Sequence, residues 1–344
     1  YGRCGGVRSS LARVLSFFVV LLLICSAASA KNKSGFRLEN FDYPYPVQFM
    51  SLSSQKKQLE MAYMDVKPTT EANGKTVVLL HGKNFCAATW GETIRALSAA
   101  GYRVVAIDQI GFCKSSKPID YQYSFHQLAT NSRSLLNQLN IDKAVVVGHS
   151  MGGMLATRYA LLYPDNVDAL FLVNPIGLED WLAKGVPYVS IKDWYKNQLG
   201  LTAKKARNYQ QNTYYAGQWR DDYQHWIDML MMPYKADKED SAWLSAIHYD
   251  MILTQPVVHE FDQLSVPTWL FIGEKDNTAI GKAFVSDEVK KRLGNYPVLA
   301  RKTAKAIPGS HLVLFDDLGH SPQIQDPERF QQSLMNALNN VFSK

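Results

Sequence analysis

A serine framed by glycines is the residue whose surroundings in this sequence point most directly to chemistry. The run Gly148-His149-Ser150-Met151-Gly152 follows a short apolar segment, Ala144 to Val147, and opens a helical stretch at Met151. Glycines allow close backbone approach at a sharp turn, and a strand before the turn and a helix after it expose the serine hydroxyl above a sheet. The pattern predicts Ser150 as a nucleophile.

A serine hydroxyl is a poor nucleophile until a base takes its proton, and the base needs a carboxylate that orients it. His320 suits the base, because the loop Asp317-Leu318-Gly319-His320-Ser321-Pro322 follows the last apolar run. Asp276 follows the run Trp269 to Ile272 and suits the carboxylate, with Glu274 as its nearest rival. The order Ser, Asp, His is the chain order expected of a triad built on this turn.

An acyl-transfer reaction also needs donors for the oxyanion that forms on the attacked carbonyl. The N–H of Met151, at the start of the helix after Ser150, is one candidate. The second is expected from the loop His81-Gly82-Lys83-Asn84-Phe85, which follows another apolar run. The Lys83 N–H is our first choice and that of Asn84 the second.

Short apolar runs alternate with helical stretches and define the elements that must hold these residues. Each run is too short for a helix and rich in Val, Leu and Ile, which is typical of buried strands. The runs are Val77 to Leu80, Val104 to Ile107, Ala144 to Val147, Ala169 to Val173, Trp269 to Ile272 and Leu312 to Phe315. The helical stretches are Trp90 to Ala100, Phe125 to Leu139, Met151 to Tyr163 and Pro327 to Phe342. With two antiparallel edge strands predicted within residues 36–66, the pattern indicates an α/β protein whose mostly parallel sheet is covered on both faces.

The alternation stops between Pro175 and about Asp262, in a stretch rich in Trp, Tyr and Met. We predict an inserted helical domain over residues 176–262. The core is then formed by residues 31–175 and 263–344. The apolar and aromatic composition of the insertion favours an apolar or aromatic small-molecule substrate. We expect Asn84, Phe85, Trp181 and Trp219 to contact it.

The first thirty residues read as a secretory signal peptide. Three arginines precede an apolar run from Val14 to Cys25, and small residues follow up to Ala28-Ser29-Ala30. The run is shorter than a membrane span, so we predict cleavage and no stable membrane anchor, with an uncleaved anchor as the alternative. The protein is then secreted or periplasmic. The formal net charge of +6 is scattered without a basic stripe, which argues against nucleic acid as a partner. Oligomeric state is not readable from the sequence.

Taken together, these motifs resemble the α/β-hydrolase family over residues 36–344. The further matching segments are His81-Gly82 with Trp90 downstream, Asp108-x-x-Gly111-x-Cys113-x-Ser115, Gly273-x-x-Asp276, Gly319-His320 and Pro327-Glu328-Arg329-Phe330. The resemblance implies an eight-stranded, mostly parallel sheet flanked by helices, with a helical lid inserted after the sixth strand.

The resemblance also bears on single residues. Related enzymes keep the acid either near Asp276 or after the sixth strand, where this chain has Asn174, so Asp276 is favoured. The family commonly has Gly where this chain has Cys113. In the family's strand order the loops carrying Cys86 and Cys113 leave neighbouring strands at the active-site edge, and we predict a disulfide between them, with two buried thiols as the alternative. Ser150 argues against the relatives on this fold that use an aspartate nucleophile.

The sequence therefore predicts a serine hydrolase that cleaves carboxylic esters through an acyl-enzyme, without a metal or other cofactor. Two alternatives stay open. The same triad serves C–C hydrolases, lactonases, acyltransferases and perhydrolases, and a protein that keeps the fold can also act as a ligand-binding protein with low turnover.

Overall fold

The computed structural model describes residues 34–343, and its core is one sheet of eight strands. The strand order is β1-β2-β4-β3-β5-β6-β7-β8. β1 and β4 each pair antiparallel with β2, and all other neighbours are parallel. The strands are β1 Gln48–Ser54, β2 Lys57–Val66, β3 Thr76–Leu80, β4 Arg103–Ile107, β5 Ala144–His149, β6 Val167–Val173, β7 Thr268–Gly273 and β8 His311–Phe315. The predicted eight-stranded, mostly parallel sheet is confirmed.

Helices cover both faces of this sheet. They are α1 Gly91–Ala99, α2 Phe125–Gln138, α3 Met151–Leu162, α4 Ile191–Leu199, α5 Ala203–Tyr209, α6 Gln224–Ala236, α7 Lys238–Thr254, α8 Asp287–Lys291, α9 Tyr296–Ala306, α10 Pro322–Gln325 and α11 Pro327–Phe342. Several begin at side-chain caps. Ser124 caps α2 by accepting from the Gln127 N–H, and Asp326 caps α11 by accepting from the Arg329 N–H.

Alternation along the strands divides the core into two layers. In β3, Val77 and Leu79 face the layer formed with α1 and α11, while Val78 and Leu80 face the layer formed with α2, α3 and α9. Successive side chains of a strand point to opposite faces, so a strand buried on both faces must be apolar throughout. This requirement explains why the buried strands appear in the sequence as continuous apolar runs.

Helices α4 to α7 lie between β6 and β7, inside the predicted insertion of residues 176–262. The sequence analysis did not anticipate α8 and α9, which lie between β7 and β8. The predicted signal peptide falls outside the described residues. Within residues 34–343, no helix is long and apolar enough to cross a membrane.

Candidate active site

Ser150 occupies a strained turn between β5 and α3. Its backbone has φ 57° and ψ −121°, a region that costs an L-residue free energy and is typical of functional positions. The turn is sharp enough that a Cβ on Gly148 would lie 2.1 Å from the Gly152 carbonyl oxygen. Ser150 is buried, with 5% of its surface exposed. The predicted strand, turn and helix around the serine are therefore present.

Asp276 and His320 meet after the ends of β7 and β8. The His320 Nδ1–H donates to Asp276 Oδ2 over 2.6 Å, and both residues are buried. The other carboxylate oxygen, Oδ1, accepts from the Thr278 N–H at 2.8 Å and from the Thr278 hydroxyl at 2.7 Å. These donors fix the carboxylate plane, so Asp276 can hold His320 in one orientation with Nε2 free of the proton.

Asn174, at the alternative acid position after β6, supports Asp276 instead of replacing it. Its Nδ2 donates to Asp276 Oδ2 at 3.0 Å and to the Gly273 carbonyl at 3.2 Å, and its Oδ1 accepts from the Gly273 N–H at 2.8 Å. The amide thus ties the end of β6 to the turn that carries the acid. Glu274, the rival acid, forms a salt bridge with Arg301 and does not bond His320.

His149 fixes the backbone of the loop that carries His320. Its Nε2–H donates to the His320 carbonyl oxygen at 2.8 Å. Burial, followed by the repulsion of His320, holds the pKa of His149 well below its ordinary value, so this ring is neutral. The neutral His149 ring can donate this hydrogen bond through one nitrogen without placing a positive charge beside His320.

The three residues of the predicted triad lie at one edge of the sheet because parallel strands end there. Among residues 34–343, His320 Nε2 is buried and has no hydrogen-bond partner. It is therefore available to a proton from Ser150, and such bonds commonly tighten only when substrate is bound. A Cβ on Gly82 would lie 3.0 Å from the Ser150 Cβ, so the loop after β3 passes directly against the nucleophile.

The two predicted oxyanion donors are at the start of α3 and in the loop after β3. Met151 begins α3, where N–H groups have no partner within the helix and the helix dipole favours negative charge. Lys83 follows Gly82 in the loop against Ser150. Within the described part of the chain, neither N–H donates a hydrogen bond to another group. Both are thus available to an oxyanion.

The side chains of this loop point into the insertion. Lys83 Nζ donates to Ser245 Oγ at 2.7 Å and lies 3.9 Å from the centre of the Tyr249 ring. Asn84 Nδ2 donates to the Tyr214 hydroxyl at 2.9 Å. Lys83, Asn84 and Phe85 all line a cavity between the loop and the inserted helices.

Tyr214 is a site residue that the sequence analysis missed. It ends a π-helical turn, Gln210–Tyr214, and its ring lies 4.7 Å from the His320 ring. Its hydroxyl is the group bound by Asn84, so one side chain of the insertion contacts both His320 and the loop after β3, residues 81–86, named here the oxyanion loop for its predicted role. Aromatic residues are frequent in this stretch, and the sequence held no signal that singled out Tyr214.

Trp181 and Trp219 are not among the residues that line the cavity at Asn84. Trp181 is buried. Trp219 packs edge-to-face against Tyr215 and Tyr223, with the Arg207 guanidinium 4.5 Å from its ring. These contacts give Trp219 a packing role inside the insertion, and substrate contact by the two tryptophans stays a prediction.

A disulfide joins Cys86 to Cys113, with the Cα atoms 5.8 Å apart. It ties the end of the oxyanion loop after β3 to the loop after β4. Cys113 has φ 53°, in the left-handed region that glycine adopts without cost. This backbone conformation explains why the family pattern has glycine at that position, and the chain accommodates the cysteine despite the strain.

One group of possible metal ligands in the described chain, His81, Asp108 and Cys113, has its donor atoms close together. All of them are already in use. Cys113 is in the disulfide, His81 bonds Gly82 through Nδ1 and the Gln109 N–H through Nε2, and both oxygens of Asp108 accept hydrogen bonds. These residues therefore do not fit a metal ion and instead brace the loop around the site.

Comparisons with known proteins agree with this geometry. A crystal structure of a probable hydrolytic enzyme from Pseudomonas aeruginosa PAO1 is 59% identical, with a TM-score of 0.87, over 88% of this chain and 97% of that one. A 2-hydroxy-6-oxo-6-phenylhexa-2,4-dienoate hydrolase of Burkholderia cepacia is 36% identical over 36% of this chain and 44% of its own length. A bifunctional epoxide hydrolase of Sus scrofa is 34% identical over 36% of this chain and 23% of its own length.

The chain thus spans less than half the length of these two curated relatives. The family model described as alpha/beta hydrolase fold matches residues 75–327, which include Ser150, Asp276 and His320. This match covers more than half of the chain, and the sheet order and the serine turn agree with it. The chain belongs to the alpha/beta hydrolase fold family.

Proposed function

We propose that the protein is a serine hydrolase that cleaves carboxylic esters of small molecules. The observation that carries the proposal is the 2.6 Å hydrogen bond between Asp276 and a buried His320 whose Nε2 is unpartnered, at the same sheet edge as the strained Ser150 turn. This combination prepares a nucleophile, a base and an orienting acid in one place.

The first half of the reaction forms an acyl-enzyme. Ser150 Oγ attacks the ester carbonyl carbon while His320 Nε2 takes the hydroxyl proton, and Asp276 stabilises the resulting imidazolium. The Met151 and Lys83 N–H groups bind the oxyanion. As the tetrahedral intermediate collapses, the C–O bond to the alcohol breaks and His320 returns its proton to that oxygen.

The second half releases the acid by the same route. Water attacks the acyl carbon, its proton passes to His320, and the bond to Ser150 Oγ breaks as the proton returns to the serine. The triad supplies the nucleophile, the base and the orienting acid, and the two N–H groups bind the oxyanion, so this cycle uses no cofactor. The apolar walls that Phe85, Phe112 and Leu244 give the neighbouring cavity support a substrate with an apolar acyl portion.

A C–C bond hydrolase is the second candidate, because the Burkholderia cepacia relative carries that kind of name. The two candidates share Ser150, His320 and Asp276 and differ in the leaving group, which is an alcohol in one and a carbon acid in the other. Comparing aryl esters with vinylogous 1,5-diketones as substrates for the same enzyme separates them.

We also propose that the protein acts in a secreted or periplasmic setting, on a small-molecule substrate. The Cys86–Cys113 disulfide supports this setting, because such bonds persist in oxidising compartments and are rare in reducing ones. The sequence features of residues 1–30 support it as well.

Covalent labelling tests the proposal. We expect a fluorophosphonate to label the native protein once, at Ser150, and Ser150→Ala to abolish both the label and the hydrolysis of p-nitrophenyl esters, by at least about 10³-fold. Ser321→Ala is the matched control, because this buried hydroxyl adjoins His320 in sequence and lacks a partner among the described residues. Equal labelling of Ser150→Ala and native protein would contradict the proposal.

A further inference from the structure

Several parts of the chain line the cavity next to the oxyanion loop. Lys83 to Cys86 form one wall, and α6 and α7 of the insertion form a second, with Met229, Leu230 and Leu244 among its side chains. Phe36 and Leu38, from the segment before β1, complete the lining together with Phe112 and Lys117 from the loop after β4. A group bound here therefore lies beside the loop that approaches Ser150.

Two lysines face this cavity without a carboxylate at salt-bridge distance among the described residues, although Asp108 and Glu39 attract the charge of Lys117 from farther away. Lys83 Nζ bonds Ser245 Oγ, and Lys117 Nζ donates to the Phe36 carbonyl oxygen and lies 5.0 Å from the Phe36 ring. Neither lysine forms a salt bridge within residues 34–343, and the cavity lining contains no Asp or Glu. The contacts of both ammonium groups are with neutral oxygens and aromatic faces.

Two further polar groups in the same lining lack partners. His248 Nε2 and Ser241 Oγ are buried and, in the described structure, form no hydrogen bond. The His248 ring stacks on Phe112 with centres 3.9 Å apart, which holds its orientation in the cavity wall. A buried donor without a partner costs free energy that a complementary ligand recovers.

Burial explains the electrostatic state of these groups. Loss of solvent lowers the pKa of Lys83 and of Lys117 to about 7. Burial, reinforced by the two lysines, holds the pKa of His248 well below its ordinary value. Positive charge is therefore unfavourable in this cavity, and a bound anion would raise the pKa of both lysines.

A neighbouring cavity has the same character. It shares Asn84, Gln198, Leu201 and Leu230 with the first, and its lining includes Lys205 and Lys282 but no Asp or Glu. Positive charge along an approach to a site raises the local concentration of anionic ligands. The two cavities thus place four lysines, and no Asp or Glu, in the linings beside the oxyanion loop.

We propose that this cavity binds a carboxylate at the far end of the substrate's acyl chain, so that the enzyme prefers half-esters of dicarboxylic acids to their neutral counterparts. Lys83 and Lys117 bind the carboxylate, His248 and Ser241 complete its hydrogen bonds, and the apolar walls hold the carbon chain between carboxylate and ester. The proposal rests on the hydrolase function above and names its substrate class.

The test compares two substrates that differ only in charge. p-Nitrophenyl hemiglutarate carries the carboxylate, and p-nitrophenyl methyl glutarate carries its neutral methyl ester. We expect kcat/KM for the anionic ester to exceed that for the neutral one by at least about tenfold, the factor associated with one hydrogen bond to a charged group. A ratio of one or less in the native enzyme overturns the proposal.

Variants then assign the preference to the cavity. Lys117→Met should lower the anionic-to-neutral ratio by about tenfold and Lys117→Arg should restore most of it, because the arginine keeps the charge. Lys302→Met, at an exposed lysine on α9, is the matched control and should leave the ratio unchanged. Equal ratios in native enzyme and Lys117→Met refute the role of this cavity.

Binding to an inactive variant separates this proposal from the proposed function. Ser150→Ala should bind monomethyl glutarate more tightly than dimethyl glutarate in titration calorimetry, and Lys117→Met in that background should remove the difference. If the native protein cleaves neither ester but the binding preference is present, the hydrolase function fails and the anion site stands. If esters are cleaved and no binding preference exists, the hydrolase function stands and the anion site fails.

Discussion

The disulfide between Cys86 and Cys113 should contribute measurably to stability. Substitutions at Cys113 should separate the contribution of the bridge from that of backbone strain at this residue. The bridge joins residues separated by 27 positions in the sequence. In the loop-entropy treatment, a bridge that closes a loop of this length raises the free energy of the unfolded chain by about 3.5 kcal/mol at 25 °C. Cys86→Ala and Cys113→Ala should each lower the free energy of unfolding by about this amount.

Cys113→Gly removes the same bridge but should cost about 1 kcal/mol less than Cys113→Ala. At φ 53° an alanine keeps the steric cost of the left-handed region, whereas glycine has no Cβ and avoids it. The two variants are therefore a matched pair that isolates backbone strain from loss of the bridge. Urea unfolding followed by tryptophan fluorescence measures both differences.

Activity should respond differently from stability. Cys86 immediately precedes the short helix Ala87–Trp90 and ends the oxyanion loop, so either Cys113 variant frees that loop to the same extent. We expect the same loss of kcat in Cys113→Gly and Cys113→Ala despite their unequal stability. Equal stability of the two variants would refute the strain argument. Recovery of Cys86 and Cys113 peptides as unlinked thiols from unreduced protein would refute the bridge.

Three further results follow from the site. Gly82→Ala should lower kcat by at least about tenfold with little change in KM, because the alanine Cβ would lie 3.0 Å from the Ser150 Cβ and displace the oxyanion loop. An unchanged kcat contradicts this expectation. Asn174→Asp should reduce kcat/KM at pH 7 by about 10²-fold, because a donor 3.0 Å from Asp276 Oδ2 becomes a second carboxylate. Asn174→Ser should cause a smaller loss of kcat/KM, and the opposite ranking of the two variants contradicts the argument. The ratio of kcat/KM for the anionic ester to kcat/KM for the neutral ester should fall about tenfold between pH 6 and 9, because the two cavity lysines lose their protons above a pKa of about 7. A ratio that does not change with pH contradicts this expectation.

The sheet could be predicted from the sequence, and the candidate triad could be proposed from it, because their signals are local. A strand buried on both faces must be apolar throughout, so β3 to β7 appear as short apolar runs. Ser150 lies in a turn that demands glycines, and Asp276 and His320 follow strands whose carboxyl ends meet at one edge. Each of these requirements is imposed by a few neighbouring residues.

The cavity beside the oxyanion loop could not be predicted from the sequence, because its residues come together only through packing of the insertion. His248 lies on α7 and Lys117 in the loop after β4, and no spacing or motif relates them. The aromatic content of residues 176–262 indicated apolar contacts and drew attention to Trp181 and Trp219. It could not show which side of each helix faces the oxyanion loop, since helices α6 and α7 bury residues on more than one face.

Lys83 connects the chemistry of this site to its proposed selectivity. Its N–H belongs to the backbone beside Ser150 and is available to the oxyanion of any acyl substrate, while its side chain enters the cavity and bonds Ser245. Under the two proposals, one residue therefore binds the reacting carbonyl through its N–H and the far end of the acyl chain through its side chain. A carboxylate bound at Lys83 would stabilise the position of the loop that must bind the oxyanion in the transition state. An anionic substrate should therefore have a higher kcat as well as a lower KM than its neutral counterpart.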